Sequence, residues 1–359
     1  MKKLIIRALA GLLASVLLVV GVAMIGNMPN GKRTDGVFYQ ASGIHPDATL
    51  MTVNKQSVSA EEYLYWLAYD CDYLTSYMGS VDFDAAVSGS LTYGQYAQED
   101  AQRTVVLYAV VRQWAQQAGI TLSEESQAQL DAQRQQYVTY YGGEEGYAQQ
   151  LELMGLTDEG FQQINQVYFL YSELYKAYCT AGGALRPSDE EIASFAQGSS
   201  YCTFLPLYWS ITGDETTDAA TLAQAQDAVA RLRSAEDVTA AYLQIAQEMA
   251  LQASETGETA AAQDLDTSVA AVLTTLAEGQ VSDVVTTANG YYVFVGQALN
   301  TDAVLDKMFN GKLDAMREGA GIRYNCRSYD KLDVARFYTK LQTLRSQLQS
   351  ASSDTAPQS

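Results

Sequence analysis

Histidine is almost missing: the 359 residues contain one, His45. A single histidine cannot build a multi-histidine metal site, and no Ser-His or Cys-His nucleophile system is expected around one that falls in a linker-like stretch. No metal and no cofactor are expected. Cysteine is also scarce, with Cys71, Cys179, Cys202 and Cys326 far apart and no Cys-x-x-Cys spacing to suggest zinc. Each lies among apolar or aromatic residues, so a small buried thiol is as good a reading as a bridge. Basic charge is the third shortage. Lys and Arg number 22 against 42 Asp and Glu, a net charge of -20. That balance excludes a protein that grips phosphate backbones, so no nucleic-acid partner is expected, and it argues against one that lies on anionic lipid. The acidity reads as a device for keeping a soluble surface soluble.

What is present is enough apolar sequence, 48% of the chain, for folded domains. Lys2, Lys3 and Arg7 precede an apolar run from Ala8 to Ile25. This has the form of an export segment, close to the length of about 20 residues that spans a bilayer. No Ala-x-Ala site follows it cleanly. Residues 1–26 are expected to be a signal anchor, with a cleaved signal peptide as the alternative. The basic residues would hold the N-terminus in the cytoplasm. The expected placement is a single-pass protein of the cell membrane with its folded part outside the cytoplasm, or a secreted one if the segment is cleaved.

Residues 27–47 are rich in Gly, Asn and Pro without apolar periodicity and read as a flexible tether. A strand is expected at Leu50–Val53, a turn at Asn54–Gln56, and then a long helix with Ser59 and Glu62 forming a capping box. Trp66, Tyr69, Tyr73 and Tyr77 share one face of that helix. Glu99–Ala118 is a second amphipathic helix with Val105, Val106, Ala109, Val110 and Trp114 inward. Further helices are expected over Leu130–Tyr141 and Tyr147–Met154, then a long one with Phe161, Ile164, Tyr168, Tyr171, Tyr175 and Tyr178 in one stripe. Aromatic stripes at this spacing are expected mostly to face a core. Among the 25 tyrosines, Tyr137, Tyr140 and Tyr141 are the best candidates for exposed peptide-binding rings.

Ala181–Pro187 breaks the helical pattern and marks a domain boundary. A capping box at Ser188 and Glu191 opens a short helix. A strand follows at Tyr201–Ile211, where Pro206 suggests an edge or a bulge. Helices over Thr217–Arg233 and Val238–Leu251, a loop at Ser254–Thr259, a helix closed by Leu273 and Leu276, a left-handed cap at Gly279, a turn at Asn289-Gly290 and a buried strand at Tyr291–Val295 complete this part. Helices return over Asp302–Met316 and Asp330–Leu348, and 349–359 should be disordered.

The stretch Leu276–Leu299, with its order of helix, Glu-Gly, Val-Ser, Val-Val-Thr-Thr, Asn-Gly-Tyr and apolar strand, resembles the end of a parvulin-type (PpiC-like) peptidyl-prolyl isomerase domain. The likeness extends over Ser188–Leu299. Val58-Ser59-Ala60-Glu61-Glu62-Tyr63 after a strand and turn, and Ala118-Gly119-Ile120-Thr121-Leu122-Ser123-Glu124-Glu125 between helices, resemble the helical body of exported SurA-like and PrsA-like foldases. The implied fold class is α+β: a mainly helical chaperone body at 48–184, a parvulin-like α/β domain at 188–300, and C-terminal helices at 301–348 packing back on the body.

The resemblance also implies a site, and this sequence departs from it. Tyr292 stands where the family has a histidine after Gly-Tyr, the first strand has no histidine in any register, and the Gly-Gly-Asp-Leu-Gly turn appears as Ala262–Asp266. Between Leu265 and Gly279 the chain is shorter than the family suggests. Tyr292, Asp264 and Cys202 are the residues left to supply polarity. The expected function is an extracytoplasmic folding factor that binds unfolded exported polypeptides, with isomerase activity weak or lost. An active isomerase and a structural partner in a membrane complex are the alternatives. The sequence does not specify an oligomeric state.

Overall fold

The computed structural model describes Ala23–Met24 and residues 28–355. Apart from Ala23–Met24, the expected anchor lies outside the described residues. Among those described, no helix is long and apolar enough to cross a membrane. The architecture is α+β and mainly helical, in two compact units: residues 1–176 with 312–359, and residues 177–311. Both divisions fall inside helices, where packing changes partner, rather than at the Ala181–Pro187 break or at Asn300.

The first unit opens with β1 (Ala23–Met24), α1 (Gly36–Ser42), β2 (Thr49–Val53) and β3 (Gln56–Ser59). The expected tether is corrected here. Val37, Phe38, Ala41 and Ile44 are buried, Asp47 accepts from the backbone N–H groups of Lys32 and Arg33, and Arg33 pairs with Glu61 at 3.3 Å. Gly, Asn and Pro masked a short apolar helix too brief to show periodicity. β2 and β3 form a hairpin whose turn residues, Asn54 and Lys55, both have positive φ, as the right-handed strand twist favours.

Next come α2 (Ala60–Met78), the small hairpin β4 (Ala86–Ser88) and β5 (Leu91–Thr92), α3 (Tyr93–Ala118), α4 (Glu124–Tyr140), α5 (Glu144–Met154) and α6 (Asp158–Cys179). Ser59 caps α2 by accepting from Glu62 N–H. The Glu62 carboxylate does not complete the box; it turns to Arg112 on α3, 2.9 Å away. α3 begins earlier than its apolar stripe suggested, because Thr92 and Gln95 form a full capping box. Its expected inward residues, Val105, Val106, Ala109, Val110 and Trp114, are buried.

The second unit contains α7 (Asp189–Gly198), β6 (Tyr201–Ser210), α8 (Glu215–Ser234), α9 (Val238–Glu248), β7 (Glu258–Ala261), α10 (Thr267–Leu273), β8 (Val285–Thr286) and β9 (Gly290–Gln297). The Ser188–Glu191 capping box is present. Strand order is β7-β6-β9-β8, antiparallel throughout. Pro206 lies on the interior strand β6, but β7 accompanies only Tyr201–Phe204, so its missing N–H leaves no ladder broken on that side. Gly279 has φ +74°, yet it belongs to a turn closed by Gln280 N–H on Ala277 C=O, six residues past the end of α10.

The chain then returns through α11 (Thr301–Glu318), β10 (Ile322–Tyr324), α12 (Cys326–Tyr329) and α13 (Val334–Thr355). β10 lies between β1 and β2 in the first unit's sheet. α13 packs along α1, with Phe337 facing Phe38 at 6.0 Å between ring centroids. It runs through the stretch expected to be disordered as far as Thr355, because its apolar residues Phe337 and Leu341 are fixed in the core and the polar turns continue from them. Cys71, Cys202 and Cys326 are not bridged.

Candidate functional site

In β6 and β9 successive side chains alternate between the two faces of the sheet. Leu205, Leu207, Trp209, Val293 and Val295 enter a core closed by Ala225, Ala228 and Leu232 of α8 and Tyr242 and Ile245 of α9. The intervening residues, Phe204, Pro206 and Tyr208 on β6 and Tyr292 and Phe294 on β9, point the other way. Registry sets Tyr208 beside Tyr292 and Pro206 beside Phe294. The rings form a continuous row: Tyr208–Tyr292 at 4.6 Å, Tyr292–Phe294 at 5.5 Å and nearly parallel, Phe294–Phe204 at 5.4 Å edge to face.

This row lies under a cleft of about 910 Å³, with Tyr208 and Tyr292 partly open to it and Phe204 and Phe294 buried. Val269 and Leu265 form one wall; Tyr242 and residues 250–254 form another. Tyr242 fixes its wall by donating to Pro206 C=O at 3.2 Å and accepting from Ser254 N–H at 3.1 Å. At the far end Gly290 passes so close to Trp209 C=O that a Cβ would lie 2.1 Å from the oxygen. Neither Asn289 nor Gly290 has positive φ; the glycine is needed for close approach rather than for the expected Asn-Gly turn. Tyr208 donates to Asn289 C=O at 2.8 Å and so closes the end of the cleft.

Tyr292 and Asp264 both line the cleft, Tyr292 on the floor and Asp264 exposed at the rim. Burial raises the Tyr292 hydroxyl pKa, and Tyr208, Glu258 and Asp266 add to the rise. Cys202 stands aside, half-buried under the neighbouring cluster of Phe204, Val269 and Phe294, with its Sγ donating to Ala260 C=O at 3.7 Å. Burial raises its pKa as well, which keeps it a thiol and removes it as a nucleophile. Asp266 caps α10, and the Ser268 hydroxyl and N–H hold its carboxyl below the usual range. With these groups the cleft can bind an extended chain and offer one phenol to a peptide carbonyl.

A second surface lies in the first unit. Tyr69, Tyr73 and Tyr77 of α2 are 48%, 62% and 83% exposed. The buried face of the same helix is Tyr63, Leu64, Leu67 and Cys71. Of the expected exposed rings, only Tyr140 is open, at 80%. Tyr137 and Tyr141 pack against the cluster of Val138, Tyr147, Leu151 and Phe161, because the turn at Gly142–Gly143 brings α5 over them. The α2 stripe was visible in the sequence but was expected to face a core, and Tyr69, Tyr73 and Tyr77 do not. What marks it as open is that α2 already has an apolar face on another side, and a helix packed on one side buries only one.

Residues 214–306 match the family described as "Rotamase_2: PPIC-type PPIASE domain". The match begins after β6, the strand without a histidine. No curated protein matches the sequence. Among solved structures the chain is similar to PrsA from Bacillus subtilis (13% identity, 73% of this chain and 90% of that one, TM-score 0.27). It is likewise similar to PrsA from Bacillus cereus (12% identity, 77% and 93%, TM-score 0.28). A SurA-like chaperone from Campylobacter jejuni is 10% identical over 86% of this chain and 98% of that one, with a TM-score of 0.21. Scores this low leave the family match as the firmer finding. Residues 214–306 thus match the PPIC-type peptidyl-prolyl isomerase family model, in a chain similar to PrsA-type foldases.

Proposed function

We propose that this protein is an extracytoplasmic folding factor, held at the membrane by the apolar segment that precedes β1, that binds unfolded exported polypeptides and has weak or no prolyl isomerase activity. The observation that supports it best is the floor of the cleft: Tyr208 and Tyr292, open above the buried rings of Phe294 and Phe204 and suited to an extended chain, in a PPIC-type domain whose β6 and β9 carry no histidine. Rotation about an X-Pro bond faces a barrier of about 18–20 kcal/mol set by amide resonance. Lowering it requires a slot for the proline ring and positioned polar groups that favour the twisted amide. The open part of the floor, Pro206, Tyr208 and Tyr292, offers the ring an apolar surface, and among its described residues Tyr292 supplies a hydroxyl without a fixed partner in the fold. The exposed tyrosines of α2 offer a second, separate surface for unfolded chains.

The family match favours a second reading, an active isomerase in which Tyr292 does the work of the usual histidine. Two measurements on the full chain separate the readings: suppression of aggregation of a reduced, unfolded substrate, and protease-free isomerisation of short X-Pro peptides. Strong suppression with little isomerisation is expected. Isomerisation at ordinary parvulin rates would favour the second reading, and absence of suppression would reject the first.

A further inference from the structure

The cleft has a charge character that isomerisation does not require. Its lining includes Glu258, Asp264 and Asp266 and no lysine, arginine or histidine. From Ser188 to Leu299 the only basic residues are Arg231 and Arg233. Both are engaged away from the cleft: Arg231 with Glu248 at 2.6 Å, Arg233 with Asp283 at 2.8 Å and with Val281 C=O at 3.1 Å. No cation between Ser188 and Leu299 pairs with the three carboxylates. Aromatic faces carry negative electrostatic potential and attract cations, Arg and Lys above all. A positive side chain over Tyr208 and Tyr292 would meet ring faces below and carboxylates at the rim. A negative one would meet repulsion from both.

The apolar part of the floor lies one step along the strand. Phe294 is buried with Phe204 and Val269 in one cluster, so the open apolar surface beside the tyrosines is Pro206, two residues from Tyr208 at a separation of roughly 6.5 Å and also lining the cleft. A proline ring on Pro206 leaves the side chain of an adjoining residue within reach of Tyr208 and Tyr292. We propose that the cleft selects proline-containing segments that carry lysine or arginine next to the proline, the proline resting on Pro206 and the cation between the tyrosine rings and the rim carboxylates. This rests on the reading of the cleft as a chain-binding site.

The test uses the full chain and fluorescein-labelled hexapeptides that differ only in the residue before proline: lysine, alanine or glutamate. Binding is followed by anisotropy. At low salt the lysine peptide is expected to bind about tenfold more tightly than the glutamate peptide, with alanine between them. The ratio should shrink in about 0.5 M salt, where the Debye length is only a few ångströms. The double variant Glu258→Gln, Asp264→Asn, at two exposed positions, should lower the lysine-to-glutamate ratio several-fold. Tyr292→Leu should weaken the lysine peptide more than the alanine peptide. Equal affinity for the lysine and glutamate peptides, or a ratio unmoved by the double variant, overturns the charge selection and leaves the cleft as a chain-binding site. Peptide binding that Tyr292→Leu does not weaken, in a variant with an unchanged near-ultraviolet spectrum, overturns the underlying reading instead.

Discussion

Tyr208 and Tyr292 face each other across neighbouring antiparallel strands, their ring centroids 4.6 Å apart, at the point where the resemblance to parvulins calls for a histidine. Losing one positioned polar group in a water-excluded site costs about 10²–10³ in rate. The full chain should therefore isomerise short X-Pro peptides at least about 100-fold more slowly than an ordinary parvulin. Tyr292→His should recover only part of this, since Tyr208 still occupies the facing position. Parvulin-like turnover that survives Tyr292→Phe would show that the site works without either group.

The α2 stripe makes the opposite kind of prediction, a loss of function without a loss of fold. Replacing Tyr69, Tyr73 and Tyr77 together by serine should at least halve aggregation suppression. Each exposed substitution should change stability by no more than about 0.5 kcal/mol. Undiminished suppression, with an unchanged urea midpoint, would remove α2 from the chain-binding surface.

Phe38 and Phe337 provide a test of the packing of α1 and α13. Both are fully buried, with ring centroids 6.0 Å apart. Phe38→Ala and Phe337→Ala should each cost about 3–5 kcal/mol in chemical denaturation of the first unit. A cost below about 1 kcal/mol for Phe38→Ala would mean that residues 36–42 behave as a tether after all.

Asp70, buried between α2 and α3, gives the first unit a pH dependence. Burial, and then the neighbouring Asp100, push its pKa from 3.8 up to about 8. Because the folded-state value is raised, the folded chain holds a proton that the unfolded chain has released. Stability from this group should thus fall as pH rises from about 4 to about 8 and level off beyond, by an amount on the order of a few kcal/mol. Asp70→Asn should be more stable than the parent at pH 8.5, with the gap closing toward pH 4.5. A gap independent of pH in urea titrations would refute the raised pKa.

Local chemistry carried much of this fold in the sequence. The Ser188–Glu191 box, the inward face of α3 and the strand at Tyr291–Val295 follow from side-chain hydrogen bonding and periodicity, and these act over a few residues. What the sequence hid depends on partners far along the chain. Glu62 was expected to close a capping box, but Arg112 offered its carboxylate a better partner. α1 is too short for its apolar residues to show a period, and only α13 makes them a core. The cleft was half legible: Tyr292 and Asp264 line it, whereas Tyr208 and Phe294 became part of it only through the register of β6 and β9. Tyr137 and Tyr141 were misjudged because their cover comes from another helix.

The placement of β10 bears on the order in which the protein can be made. Asn325 is fully buried, donating through its side chain to Thr49 C=O at 2.9 Å and through its backbone to Leu50 C=O. β2 pairs with β10, whose residues lie some 270 positions later, so a ribosome releasing the chain from its N-terminus delivers the second unit, continuous in sequence, before the first can close its sheet. Until then β2 has an unpaired edge and α1 has no α13 to cover it. Contacts this distant in sequence close slowly. A chain built this way spends most of its own synthesis with its first unit unfinished.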